Sequence, residues 1–280
     1  MSTGPDRSAA DRTAALQALY GEVLARGRTE GIAALIAPAY RSHLPTFTPT
    51  PELLQGREAL SRRVLAQQAL PNAVRRLVLD GELAFVHVHY PGWRADIDPV
   101  SGVDIFRFEP SGLIAEHWCV RQPIPDDLSR GVDRYADAGL PAGRRRRDPA
   151  ALRERVRAML EQMWAKGAVE LVPQFYAEHY VQHNPDMPGG YTRILEVAAS
   201  IREQLTRGGR PFPIQVHRIG AQGDLVFVHL SILMTGINRN EGSRSTNVDI
   251  FRVDDDGRMV EHWDVLQMAD EPLQDGSTLF

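Results

Sequence analysis

Residues 261–265 read Glu-His-Trp-Asp-Val inside a β-branched and aromatic run, the pattern of a β-strand. Side chains alternate faces along a strand, so His262 and Asp264 share one face and Glu261, Trp263 and Val265 the other. A carboxylate beside an imidazole is equipment for moving a proton. The preceding strand carries Asp249 and Phe251 on a common face, which offers a second carboxylate. Upstream, YVQHNP (180–185) supplies His183 and Asn184, two groups able to donate hydrogen bonds to a substrate oxygen. Each group also has a structural reading. His262 and Asp264 pair at a domain interface, Asn184 caps backbone groups in a His183-Asn184-Pro185 turn, and Asp249 is an ion-pair partner. His229, among apolar neighbours, reads as a satisfied core or interface residue.

Other chemistries have less behind them. His183, His217, His262, Asp249 and Asp264 are ligand types, but no HExxH or CxxC spacing presets a metal site. There is no glycine-rich phosphate loop and no dinucleotide fingerprint. No metal and no cofactor are therefore expected. The single cysteine, Cys119, sits beside Trp118 with nothing nearby to favour a thiolate.

The elements that must position these groups occur twice. Residues 103–122 (VDIFRFEPSGLIAEHWCVRQ) and 248–267 (VDIFRVDDDGRMVEHWDVLQ) are identical at eleven of twenty positions. GELAFVH (81–87) pairs with GDLVFVH (223–229), and YRSHLP (40–45) with YVQHNP. A period of 140 to 145 residues present twice is a duplicated domain, not a solenoid. Helical spacing marks residues 11–26 and 148–166, the second opened by the cap pair Asp148-Pro149. Shorter helices are expected near 29–37 and 168–178, and third helices over about 56–69 and 190–207, the latter closed by Gly208-Gly209. Strands follow, with Ser111-Gly112 and Asp256-Gly257 as hairpin breaks. Helices first and antiparallel strands after predict an α+β fold. The expected organisation is a domain over 1–122, a Pro-, Gly- and charge-rich linker over 123–147, and a domain over 148–280. The run Arg144–Arg147 reads as a solvated linker end.

Composition bounds the function. The chain is 43% hydrophobic and 24% charged, with a net charge of −4, which argues against a general nucleic-acid binder. No apolar run reaches the length of a membrane span, the polar N-terminus has no signal-peptide core, and one cysteine suits a reducing compartment. A cytoplasmic location is expected.

YVQHNP, GDLVFVH and VDIFRVDDDGRMVEHWDVLQ together resemble the SnoaL-like branch of the nuclear transport factor 2-like superfamily. The resemblance covers nearly all of 148–270 and, more weakly, 11–123. It implies two tandem cones, each of three helices packed on a strongly curved, mostly antiparallel sheet with a pocket at the open end. It also implies an intramolecular pseudo-dimer, since single-domain relatives pair through their sheets; a solution envelope with two separated lobes would count against that, and further oligomerisation is left open. The family's cyclases use an acid/base aspartate and no cofactor, and Asp264 is the matching residue. His262 would then orient Asp264, with His183, Asn184 and Asp249 contacting substrate. Asp249 stands where the cyclases carry histidine. In copy one Leu44 replaces Asn184 and Cys119 replaces Asp264, so that copy is expected to be degenerate.

Three readings follow. One is a cofactor-independent cyclase, isomerase, dehydratase or hydrolase acting on a small apolar carbonyl compound or epoxide, in polyketide or other secondary metabolism. The others are a small-molecule-binding protein without catalysis and an assembly module.

Overall fold

In a computed structural model of the chain, described residues are 8–43, 56–67, 69–92, 99–124, 134–139, 147–184, 187–208, 213–233 and 244–269. Leu44, Arg144–Arg146, Pro185 and Gly209 lie outside them. The chain divides into two compact units.

The units open with α1 (Ala9–Ala18) and α4 (Pro149–Ala158), each started by a side-chain cap. Ser8 and Asp11 form a reciprocal capping box, and Asp148 accepts from the Ala150 N–H just ahead of Pro149. Both helices then widen into a π-helical turn, Leu19–Leu24 and Met159–Trp164. A π turn spreads more residues over one revolution and changes which side chains face inward. It brings Leu160 and Trp164 to the inner cavity of the second unit.

The second helices are shorter than the spacing predicts. They comprise α2 (Ile32–Leu35) and, after a 3-10 turn at Val169–Leu171, α5 (Val172–Phe175). The remainder of each segment is a strand absent from the sequence reading, β1 (Ile36–His43) or β6 (Tyr176–Gln182). These strands lie at sheet edges and pair on one side only, with register shifts. Their burial alternates irregularly for that reason, and the period-2 signal is lost. The third helices, α3 (Arg57–Gln67) and α6 (Gly190–Thr206), fall where expected, and Gly208 at φ +88° stops the second.

The first unit continues with β2 (Ala73–Asp80), β3 (Leu83–Tyr90), β4 (Val100–Phe108) and β5 (Ile114–Pro123). The second continues with β7 (Ile214–Gln222), β8 (Leu225–Leu233), β9 (Arg244–Val253) and β10 (Met259–Ala269). Sheet orders are β1-β5-β4-β3-β2 and β6-β10-β9-β8-β7. Only the pairing of each edge strand with the last strand is parallel. Each unit is thus an α+β domain with a five-stranded, mostly antiparallel sheet. The helices cover one face, where Val156, Met159, Ala198, Val226, Val228 and Phe251 form the second unit's core.

Part of the expected linker is docked. Ala136 accepts from the Trp263 indole N–H (2.9 Å), Asp137 pairs with Arg252 (2.7 Å), and the Ala138 N–H donates to Glu261. No helix among the described residues is long and apolar enough to cross a membrane.

Candidate active site

Register places the candidate residues. On the inner face of the second sheet, Asp264 of β10 stands directly opposite Asp249 of β9, and His262 opposite Phe251, on whose ring it stacks at 4.7 Å. These residues and Asn184 line a cavity of about 420 Å³, within the size range of small-molecule sites. Its other walls are largely apolar and aromatic, with Leu160, Trp164, Tyr176, Tyr180 and Leu266 among them.

Each member of the central pair is held by one heteroatom and leaves the other without a hydrogen-bond partner among the described residues. The Asn184 amide donates to Asp264 Oδ2, while Oδ1 is buried with no hydrogen-bond partner among the described residues. Gln182 Oε1 accepts from the Asn184 backbone N–H (3.0 Å), which identifies that atom as the oxygen, and lies 2.8 Å from His262 Nδ1. His262 Nδ1 therefore carries the proton in that bond. Nε2 faces Asp249 Oδ1 at 3.7 Å, an ion-pair distance too long for a hydrogen bond, and is likewise buried without a hydrogen-bond partner among the described residues.

Electrostatics tunes both groups. Burial, reinforced by the Asp249 carboxylate, raises the Asp264 pKa, against the pull of His262, Asn184 and Arg134. Burial works against charge on His262, but Asp249 and Asp264 outweigh it and raise the imidazole above its ordinary value. Two neighbouring groups are thus shifted toward keeping a proton, as groups that exchange protons with a substrate often are.

One expected site residue lies elsewhere. His183 was expected to reach the substrate, but it follows Gln182 and points to the opposite face of the sheet. Its Nε2 bonds Glu261 Oε1 at 2.9 Å and its ring stacks on Trp263 at 5.1 Å. His43, Glu116 and Trp118 repeat this arrangement at 2.9 and 5.1 Å in the first unit, as a structural motif would. Arg252 and the Ala138 N–H complete the shell of Glu261 and, with His183, hold its carboxyl below the usual range despite burial. That stability is present above the ordinary carboxylate pKa and is lost as pH falls through the lowered one. His183→Ala is expected to cost about 1–3 kcal/mol in urea unfolding at pH 7 and to leave ligand affinity within about twofold. A large affinity loss with intact stability would return His183 to the site. His229 is a buried core histidine, bonded to Thr246 Oγ1 at 2.9 Å.

Gln182 and Asn247 are site residues that sequence reasoning missed. Alternation along β6 puts Gln182 on the inner face, where its side chain meets His262 and the Tyr180 hydroxyl, once that segment is known to be a strand. Asn247 precedes Asp249 by two residues on β9 and lines the cavity itself. Asp249, His262 and Asp264 are also the cavity's closest approach to a metal-ligand set, with one donor atom each inside 4.8 Å of the others.

The first unit shows the same scaffold closed. Asp104, matching Asp249, accepts from Tyr20 and Tyr90 (2.6 Å each), His117 (2.8 Å) and Arg121. Burial opposes its charge, but Arg121 and His117 hold it ionised, well below the usual carboxylate range. Here His117 is turned to Asp104, and burial keeps its pKa low. Burial pushes the Cys119 thiol up to about 12. The cavity that remains is about 70 Å³.

The SnoaL-like domain model matches this chain twice, over residues 16–117 and 156–262. The chain belongs to the SnoaL-like family as a tandem duplication. No curated protein matches it. Among solved structures it resembles a putative SnoaL-like polyketide cyclase from Jannaschia sp. CCS1 (16% identity, 42% of this chain and 92% of the other, TM-score 0.34). A steroid delta-isomerase from Pseudomonas aeruginosa (19%, 43% and 85%, 0.34) and an LEH-like epoxide hydrolase from M. tuberculosis (23%, 46% and 90%, 0.35) are also similar.

Proposed function

We propose that the second unit is a cofactor-independent proton-transfer enzyme acting on a small, largely apolar carbonyl compound. The observation that carries this reading is that Asp264 and His262 line one largely apolar cavity and each keeps a buried atom, Oδ1 and Nε2, with no hydrogen-bond partner among the described residues. Asp264 removes a proton from the carbon next to the carbonyl: the C–H bond breaks and an O–H bond forms at Oδ1. Protonated His262 donates from Nε2 to the carbonyl oxygen as negative charge grows there, the role of an oxyanion donor. The resulting enolate is reprotonated at the same or another carbon, or attacks a second carbonyl of the same molecule. Those outcomes are exchange, isomerisation and cyclisation. Asn184 and Gln182 hold the pair in position, and Asp249 supports the charge on His262. The first unit, with Asp104 ion-paired to Arg121 and its thiol protonated, takes no part in this chemistry.

The test needs no knowledge of the natural substrate. Deuterium uptake at carbons next to the carbonyl is followed by proton NMR in D₂O for a panel of cyclic ketones and β-keto esters, with opening of small epoxides followed in parallel. Exchange above buffer that persists in a chelator is expected. Epoxide opening alone would redirect the carboxylate from carbon acids to water. Binding without either reaction would leave a ligand-binding protein.

A further inference from the structure

A third polar atom in the cavity has no role in proton transfer. Asn247 is 5% exposed and lines the cavity, and its Oδ1 is buried with no hydrogen-bond partner among the described residues. Buried amides are nearly always satisfied, and leaving one unmade costs about 5- to 150-fold in an equilibrium constant. Its cross-strand partner, Leu266, offers no polar group. The first unit carries Gly102 and Arg121 at these paired positions. A Cβ on Gly102 would lie 2.8 Å from Arg121 Nη1, so glycine there makes room for the arginine that fills the site. The second unit exchanges both residues: the filling side chain becomes leucine, and a hydrogen-bonding amide stands on the cavity wall.

The geometry points to Asn247 as the residue that binds a second polar group of the substrate, a hydroxyl set apart from the reacting carbon by an apolar body. Asn247 is diagonal to Asp264 across the β9–β10 ladder, a separation of roughly 7–8 Å. The substrate class is therefore a hydroxylated cyclic ketone whose hydroxyl lies roughly that far from its acidic C–H. A hydroxyl both donates and accepts, so it satisfies either orientation of the amide. The inference rests on Asp264 as the proton-transfer group, and it is read by binding rather than turnover.

The probes are 1-tetralone and its 6-hydroxy and 7-hydroxy derivatives, titrated calorimetrically into the full chain. At least one hydroxytetralone is expected to bind about tenfold tighter than the parent ketone. Asn247→Leu should erase that preference while still binding the parent. Asn247→Ala serves the same purpose if leucine is not accommodated. Asp264→Asn should keep the preference while losing exchange, which separates the two proposals. Equal binding of all three ketones, binding of none, or a full hydroxyl preference in both Asn247 variants overturns the assignment.

Discussion

Asp264→Asn is expected to lower the deuterium-exchange rate by about 10²- to 10⁴-fold, the usual contribution of a positioned general base. Ligand affinity should stay within a few-fold, because the amide keeps the shape of the carboxyl and can still accept from Asn184. The wild-type pH profile should be bell-shaped. Its acid limb follows deprotonation of Asp264 above the ordinary aspartate range, and its alkaline limb follows loss of the His262 proton above the ordinary histidine range. The two groups interact, so the limbs report the pair. His262→Gln should remove the alkaline limb and leave the acid one. A flat profile, or an Asp264→Asn variant as fast as wild type, would remove Asp264 from the chemistry.

The same substitution has an expected signature in stability. The folded pKa of Asp264 is raised, so the folded protein holds this proton more tightly than the unfolded chain does. Stability falls as pH rises from the ordinary aspartate value through the raised one. Asp264→Asn should therefore melt with wild type at low pH and above it at pH 8. Each unit by which the pKa is raised corresponds to about 1.4 kcal/mol. A residue whose charge weakens the fold while facing a cavity is being kept for something other than packing.

Much of this site was legible before any coordinates. The EHWD alternation places His262 and Asp264 together because both lie in the middle of a regular antiparallel pair, where the period-2 rule holds. The repeat marks the two units because the VDIFR and EHW segments build the same strands twice. Legibility failed at β6. That edge strand has one neighbour and an irregular register, so its alternation does not show in residue types. Ending a helix near residue 178, with a turn at His183-Asn184-Pro185 after it, hid Gln182 and misdirected His183. Had it been treated as a strand, parity with Tyr180 would have turned Gln182 inward and His183 outward. Asn247 was passed over for another reason. An asparagine between Thr246 and Val248 carries no signature of its own, and its meaning comes from the paired Leu266 and from Gly102 and Arg121 in the other unit.

That exchange of pairs gives the second large expected effect. Arg121 in the first unit donates to Asp104 and to the backbone carbonyl oxygens of Val103 (3.2 Å) and Val120 (3.1 Å), and its guanidinium lies over the Tyr90 ring at 4.9 Å. It fills its pocket and neutralises the aspartate at once. Leu266→Arg in the second unit should bring a guanidinium to Asp249 and reduce ligand affinity at least a hundredfold, about 2.7 kcal/mol. Alone it is also expected to cost about 1–3 kcal/mol of stability, because the Asn247 side chain occupies the space that Gly102 leaves open. Asn247→Gly with Leu266→Arg should recover part of that cost, with a coupling of about 0.5–3 kcal/mol between neighbours, and still bind no ligand. A double variant as unstable as the sum of its parts would mean that the two units accommodate the arginine differently. A Leu266→Arg protein that still binds tetralones would show that the ligand does not occupy this wall, and would take Asn247 and Asp264 with it.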